Sequence, residues 1–302
     1  MVTYNHEQYI EQAILGVINQ NASFPIELVI GEDCSTDGTR DVLLEYKSKY
    51  PSLIKLVLQE ENVGVLENFV KTLEACDGDY VALCDGDDYW TDPLKIQKQV
   101  TFLESNPNFS ISFHNVVYIY EDGTKDVPVM EKDIYGIEDL LAKNFIATAS
   151  CVFRKFQVEL LPEWFKKLPF GDWSLHILNA QYGKIKYHDE EMAVYRIHKG
   201  GTWSGSWSSG SAEKAISAIQ TKIRFFDLLN EYFGKRYTHI LRDQKMAAYN
   251  QMLYVYSDSG NHIKVDKRAI IYYLLNNLWV KKYSKKLIVV SILRYWFGVK
   301  IV

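Results

Sequence analysis

The chain has 302 residues, of which 47% are hydrophobic and 24% are charged, and its formal net charge is −4. This balance is typical of a globular protein with one large core and an appended smaller unit, and the weak acidity argues against a nucleic-acid partner. The four cysteines are widely spaced and the start lacks a leader pattern, so we expect a cytoplasmic protein without structural zinc.

Helical and strand patterns alternate over the first 120 residues. Helices are predicted at 6–20, from about 37 and at 65–76, and strands at 26–31, 54–58 and 80–84. Asp92 and Pro93 predict a further helix start, with Asp92 as the N-cap. This alternation indicates βαβ units and a largely parallel sheet, in which ligands lie beyond the carboxyl ends of the strands.

An acidic turn follows the third of these strands, with Asp85, Asp87 and Asp88 around Gly86. Carboxylates this close repel one another unless a cation neutralises them, and Mg²⁺ and Mn²⁺ prefer such oxygen ligands alongside substrate phosphates. The alternative is a capping turn for the helix at Pro93, but Asp92 already fills that role. The turn therefore predicts a site for a metal and a diphosphate.

A second polar cluster, residues 32–39, follows the first predicted strand. In one interpretation, Ser35 or Thr36 simply caps the next helix. In the other, a carboxylate of this cluster accepts the imide N–H of a uracil ring. Local sequence leaves both open.

With the two clusters in this order, the chain resembles a family 2 glycosyltransferase, a group of inverting enzymes with the GT-A type of α/β fold. The resemblance covers about the first two-thirds of the chain. It rests on Val2-Thr3-Tyr4-Asn5, residues 32–39, Asn62-Val63-Gly64 with Asn68, residues 85–88, Gly171-Asp172-Trp173 and residues 195–201. It implies a mostly parallel central sheet followed by a helical C-terminal region, and a nucleoside-diphosphate sugar as donor, with UDP favoured.

The resemblance also implies roles for individual residues. Asp172 takes the position of the general base that deprotonates the acceptor hydroxyl. Mn²⁺ or Mg²⁺ is expected at Asp87, Asp88 and His198. Which of the two aspartates is the main ligand is left open. Donor contacts are expected from Val2, Thr3, Tyr4, Glu32, Asp33, Asn68, Asp85, Gly86 and Arg196.

Structural roles compete with three of these assignments. Asp172 is also suited to cap a helix that starts at Trp173. Arg196 is also suited to pair with an acid such as Glu190. His198 is also suited to be an ordinary hydrogen-bonded loop residue.

The pattern changes after a Gly/Ser loop with two Trp at 201–210. We predict a catalytic domain over 1–210, with a donor part to about 120 and an acceptor part from about 121, and a helical region over 211–302. From Lys281 onward the chain is basic and aromatic without acids. That segment is suited either to the membrane interface, where a lipid-linked acceptor would be reached, or to a final packed helix.

Two further expectations follow from the resemblance. The family's first strand normally precedes the Thr3 segment, so we expect this chain to be less stable than one extended by that strand. The competing functions are a sugar-phosphate nucleotidyltransferase, whose Gly-rich phosphate loop we do not find, and a non-catalytic sugar-nucleotide-binding or membrane scaffold protein. The donor sugar, acceptor, linkage and oligomeric state are not predicted.

Overall fold

A computed structural model describes residues 1–155, 161–198, 200–201 and 211–258. The chain divides into two units, residues 1–201 and residues 202–302. The boundary expected at residue 210 falls in a segment outside the described residues, and the division near residue 120 stays a prediction.

The helices of the first unit follow the predicted order with shifted starts. They are α1 Ile10–Ile18, α2 Thr39–Lys49, α3 Val65–Glu74, α4 Lys95–Ser105, α5 Ile137–Ala142 and α6 Gly171–Ala180. Helix α1 begins later than predicted because residues 6–9 form a turn that feeds into it. Asp92 does not cap α4 directly: its carboxylate accepts the Leu94 N–H at 2.8 Å, and the helix starts at Lys95.

The strands are β1 Val2–Thr3, β2 Leu28–Glu32, β3 Ile54–Leu58, β4 Tyr80–Ala82, β5 Tyr89–Trp90, β6 Phe109–Tyr120, β7 Lys125–Asp126, β8 Ile134–Tyr135, β9 Val152–Arg154 and β10 Lys184–Ile197. The first three form a parallel sheet in the order β1-β2-β3. All five residues of β2 are buried, as expected for a strand covered on both faces. This sheet confirms the βαβ reading of the first 60 residues.

The second sheet has the order β4-β9-β6-β10-β5, with β7 and β8 paired to β6 and β10. Strands β6 and β10 are parallel, whereas the other pairs are antiparallel. The expectation of a mostly parallel arrangement therefore holds for the first sheet, and the second is mixed. The difference arises because β4 and β5 pair with strands that lie far along the chain, which local patterns do not reveal.

The core of this unit joins α1, the sheets and α4. Ile10, Ile14 and Ile30 are fully buried in one apolar cluster with Leu103. Burying each such side chain contributes about 1.5–3 kcal/mol. Helix α1 also packs closely on β5, since a Cβ on Gly16 would lie 2.9 Å from the Trp90 backbone. The acidic turn between β4 and β5 is thus fixed at both ends.

The second unit contains two described helices, α7 Ala212–Tyr232 and α8 Thr238–Asp258. The predicted helical spacing is confirmed, because Ile216, Ile219, Ile223, Phe226 and Leu229 of α7 are buried. Among the described residues we find no helix with the length and apolarity that a membrane crossing needs. The loop at 202–210 and the basic segment from Lys281 lie outside the described residues.

Candidate active site

The acidic turn lies directly against β1. The Gly86 N–H donates to the Val2 carbonyl at 2.9 Å. A Cβ on Gly86 would lie 2.6 Å from Thr3 Oγ1 and 2.9 Å from His6 Nδ1, so no larger residue fits here without displacement. Gly86 therefore allows the turn to meet the strand that carries the Thr3 segment.

Asp85, Asp87 and Asp88 converge at this turn, with ligand oxygens within 4.8 Å of one another. Burial, followed by the charges of Asp87 and Asp172, raises the pKa of Asp85 to about 7. Burial, followed by the charges of Asp87 and Asp85, raises the pKa of Asp88 well above its usual value. Both shifts mean that the cluster is electrostatically unfavourable with all three groups ionised, and a divalent cation would relieve it.

Asp87 is flanked by two histidines. Its Oδ2 lies 3.0 Å from His198 Nε2 and 3.8 Å from His6 Nε2. Burial acts to raise the pKa of Asp87, but the hydrogen bond from His198 and the charge of His6 outweigh it and lower the pKa. The structure thus brings His198 to the acidic turn, as the resemblance implied. Asp87 is therefore the carboxyl group of the turn whose pKa is lowered.

Asp88 and Arg196 hold the turn on β10. Asp88 is 1% exposed, and its Oδ1 accepts the Arg196 N–H at 2.9 Å. The Arg196 guanidinium donates to the Asp87 carbonyl and to Gln12 Oε1. Arg196 therefore does not pair with Glu190, whose carboxylate contacts Lys98 instead. In this structure the guanidinium supports the turn.

The second cluster is organised around Glu32, which is fully buried. One carboxylate oxygen accepts the Ser35 N–H and the other accepts from the Arg40 guanidinium. Neither Ser35 nor Thr36 caps α2, which begins at Thr39 after Gly38. Glu32 thus holds together the segment from Ser35 to Arg40.

Asp33 and Asn68 are also buried and bonded internally. Asp33 Oδ1 accepts the Val63 N–H at 2.8 Å, and Oδ2 accepts the Gly64 N–H at 3.0 Å. The Asn68 amide donates to the Gly31 carbonyl at 2.9 Å. Gly64 has a φ of 88°, which allows the sharp turn over Asp33. These hydrogen bonds fix the loop at 62–64 and the start of α3 to the end of β2.

The Thr3 segment, residues 2–5, is another part of the chain for which donor contacts are expected. Val2 is half-buried, Thr3 is buried, and Tyr4 is 41% exposed. The Asn5 side chain accepts the Thr36 N–H at 2.8 Å, which fastens this segment to the second cluster. Tyr4 is therefore the side chain of the segment that is free to face a ligand.

Asp172 lies in the first turn of α6, where the helix N-terminus favours a negative charge. Its Oδ2 accepts from Asn144 Nδ2 at 3.2 Å. Its charge contributes to the raised pKa of Asp85, so the expected base lies near the acidic turn. Helix α6 has no side-chain cap, which leaves the Asp172 carboxylate outside a capping role.

Comparison with known proteins bears on this arrangement. Residues 1–165, more than half of the chain, match the family model described as glycosyl transferase family 2. The chain belongs to glycosyl transferase family 2. A protein of Mycobacterium tuberculosis, itself uncharacterised, is 42% identical over 211 residues, covering 68% of this chain and 60% of that protein. The family 2 chain thus spans about three-fifths of the length of that relative.

Two solved structures share the fold of the family 2 chain. The mannosyltransferase PcManGT of Pyrobaculum calidifontis, in complex with GDP-Man and Mn²⁺, has a TM-score of 0.58 and 15% identity over 98% of this chain and 86% of its own. TarS 1–349 of S. aureus, in complex with UDP-GlcNAc, has a TM-score of 0.56 and 18% identity over 98% and 90%. This likeness confirms the α/β fold of the GT-A type.

Several residues of the family 2 site escaped sequence reasoning. His6 carries a weak signal, since it directly follows the Thr-Tyr-Asn segment. Gln12 and Tyr9 look like ordinary surface residues of a helix start, and Asn144 lies in a loop 28 residues before its partner Asp172. These residues lie near the acidic turn or Asp172 only because segments that are distant in sequence pack together in the fold.

Proposed function

We propose that this protein transfers a sugar from a nucleoside-diphosphate sugar to an acceptor hydroxyl with inversion, in a reaction that depends on Mn²⁺ or Mg²⁺. The observation that carries the proposal is the convergence of Asp85, Asp87 and Asp88 beside Asp172 in a family 2 chain. A cluster of carboxylates for a cation, with a separate carboxylate for a proton, is what such a transfer requires.

The residues present fit a divalent cation. Three carboxyl groups place oxygens, the atoms that Mn²⁺ and Mg²⁺ prefer, within 4.8 Å of one another, and a cation would relieve the burial and charge repulsion that raise the pKa of Asp85. Asp87 and His198 would hold the ion, with Asp85 beside the diphosphate. Asp88 keeps the turn in place through its hydrogen bond to Arg196. When bound, the metal neutralises the charge that develops on the diphosphate leaving group.

Asp172 is proposed as the general base. It would accept the proton of the acceptor hydroxyl as the hydroxyl oxygen bonds to the anomeric carbon and the nucleoside diphosphate leaves. Attack from the face opposite the leaving group inverts the anomeric configuration. A positioned base contributes about 10²–10⁴-fold to such a step.

The nucleobase is proposed to lie between Tyr4 and the loop at 62–64 that Asp33 holds. We favour a UDP-sugar on the family resemblance. The two fold relatives were solved with different nucleotides, GDP-Man and UDP-GlcNAc, so likeness of fold does not decide between them. We further propose a glycan or lipid-linked acceptor at the cytoplasmic face of the membrane.

The test is a panel of UDP-, GDP- and dTDP-sugars with and without Mn²⁺ or Mg²⁺. Metal-dependent thermal stabilisation is measured first, and release of the nucleoside diphosphate by slow hydrolysis second. Asp87→Ala should abolish the metal-dependent stabilisation, and Asp172→Asn should keep it but lower product release about 10²-fold or more. The matched control is Asp126→Asn, an exposed aspartate of β7.

The outcomes separate the competing functions. Stabilisation without product release in wild type, under every donor, would leave the non-catalytic sugar-nucleotide-binding protein as the better account. No stabilisation by any donor would remove the transferase. Metal-dependent release by one nucleotide class, lost in Asp172→Asn, establishes the transfer chemistry and names the donor class.

A further inference from the structure

The loop between α5 and β9 places one amide side chain on the proposed base. Asn144 Nδ2 lies 3.2 Å from Asp172 Oδ2. This contact joins residues 28 positions apart, from a loop and from the first turn of α6. Among the described residues, Asn144 provides the hydrogen bond to the Asp172 side chain.

Two anchors hold Asn144 in place. On one side, the Trp173 indole donates to the Leu140 carbonyl at 2.8 Å and fastens α5 to α6. On the other side, the Phe145 ring packs on Tyr135, with ring centres 4.5 Å apart. Because both neighbours of the loop are fixed to the core, the amide is held at Asp172 without depending on a bound ligand.

The orientation of the amide follows from charge. Asn144 Oδ1 is buried and has no hydrogen-bond partner among the described residues, so exchanging its oxygen and nitrogen would gain nothing on that side. The exchange would also turn a carbonyl oxygen toward the Asp172 carboxylate, and two acceptors would face each other. The N–H therefore donates to Asp172.

The other groups near Asp172 do not supply a positive charge. His176, one turn along α6, is fully buried, and burial lowers its pKa to about 4. Asp85 adds a further negative charge nearby. The remaining titratable groups that sense Asp172 are neutral acids, namely Tyr195 and Cys151. The Asn144 N–H is thus the side-chain donor that the described residues offer to the Asp172 carboxyl group, which also lies at the N-terminus of α6.

We propose that Asn144 is a positioning residue for the general base: its amide N–H binds Asp172 Oδ2, fixes the orientation of the carboxyl group, and leaves Oδ1 for the acceptor hydroxyl. The inference rests on the proposed function, in which Asp172 accepts that proton. Asn144 itself touches neither donor nor acceptor.

The decisive variants are Asn144→Asp and Asn144→Ala. Asn144→Asp keeps the shape of the side chain but removes the donor and places a second carboxyl group against Asp172. Two carboxyl groups at such a separation share one proton, which lies between the new carboxyl group and Asp172 Oδ2 and makes Asp172 a weaker base at Oδ1. We therefore expect kcat for nucleoside-diphosphate release to fall about 30-fold or more in Asn144→Asp, and about 5-fold in Asn144→Ala. KM for the donor should stay within about 2-fold in both.

A merely structural role predicts the opposite order, since the variant of unchanged shape would then be the milder one. The probe is the UDP-, GDP- or dTDP-sugar with Mn²⁺ that the panel shows to be hydrolysed. Asn179→Ala, which removes another buried amide of α6, is the control for loss of packing. Melting temperatures and Mn²⁺-dependent donor binding confirm that the variants fold.

Failure of this inference is distinguishable from failure of the proposed function. If Asp172→Asn loses product release but Asn144→Asp retains it, the positioning role is wrong and the base stands. If Asp172→Asn releases product at the wild-type rate, the proposed base is wrong, and the inference is overturned with it.

Discussion

The Cζ atom of Arg196 lies 4.5 Å from the centre of the Tyr89 ring and 5.0 Å from the centre of the Tyr9 ring. Tyr89 belongs to β5 and Tyr9 directly precedes α1. The guanidinium thus contacts two aromatic rings while it donates to the carbonyl of Asp87.

Arg196→Lys tests this support of the acidic turn. Lysine keeps the charge but loses the planar fork and the stacking, so the turn should loosen. We expect the affinity for Mn²⁺ alone, measured by calorimetry, to fall about 10-fold, with uridine affinity unchanged. Arg154→Lys is the control, because Arg154 stacks on Tyr80 of β4 in a similar way. Unchanged Mn²⁺ affinity with weaker UDP binding would instead assign Arg196 to the diphosphate.

Gly86→Ala should distort the acidic turn, because the added methyl group would clash with Thr3 of β1. Its Cβ would lie 2.6 Å from Thr3 Oγ1 and 2.8 Å from Thr3 Cβ, so the turn and β1 must separate. We expect a destabilisation of about 1–3 kcal/mol in urea unfolding and loss of Mn²⁺-dependent donor stabilisation. Gly136→Ala has nothing within 4 Å of the new Cβ and should behave like wild type. Donor binding by Gly86→Ala at wild-type strength would contradict the close approach.

Glu32→Gln should destabilise the fold through the loop of the second cluster. The buried Glu32 carboxylate is the ion-pair partner of Arg40, which is one-third exposed. Because solvent screens Arg40 in part, we expect a loss of about 2 kcal/mol in the free energy of unfolding, below the value for a fully buried pair. The exposed pair of Glu45 and Lys49 is the comparison, and Glu45→Gln should cause no measurable change. Equal stability of both variants would argue against a structural role for Glu32.

His176 should make the protein sensitive to acid. Its folded-state pKa, lowered to about 4 by burial, lies below the ordinary value of 6.5, so between these values the unfolded chain binds a proton that the native state does not. The stability of the native state therefore falls as the pH drops from about 6.5 to about 4, by up to about 3 kcal/mol.

His176→Leu should remove that contribution, since both ring nitrogens of His176 are buried without partners among the described residues and Leu leaves no polar group unsatisfied. Urea unfolding of the two proteins at pH 7 and pH 4.5 measures the difference. His239→Leu, at an exposed position of α8, is the control. An identical pH dependence in wild type and His176→Leu would show that His176 titrates normally.

Local sequence predicts the parts of this site whose functional side chains are close neighbours along the chain. The acidic turn is predictable because three closely spaced carboxylates, which repel one another, directly follow an apolar strand. They are Asp85, Asp87 and Asp88. The strand at Ile54–Leu58 was likewise predicted to the residue, since a short apolar run bounded by turns has few alternatives.

What could not be predicted depends on pairings between distant segments. Asp33 was expected to face a base, yet its two oxygens accept N–H groups from a loop 30 residues away. Arg196 was assigned to the diphosphate, but its partners Gln12 and Asp87 lie more than 100 residues earlier. Each of these side chains could form hydrogen bonds with several partners, and only the register of the strands determines which partner it meets.

The pairing of β10 with β6 shifts register just after Lys184 and again between His188 and Ala193, and then continues in register to Ile197, with Arg196 near this end. The Arg196 amide hydrogen is bonded to Asp88, so it can exchange with deuterium in solvent only when that end of the sheet separates from the turn. Deuterium uptake at this single amide would therefore report the rate at which the acidic turn separates from β10. A cation bound at the proposed metal site, by tightening the turn, should slow this uptake without any change in the strands themselves.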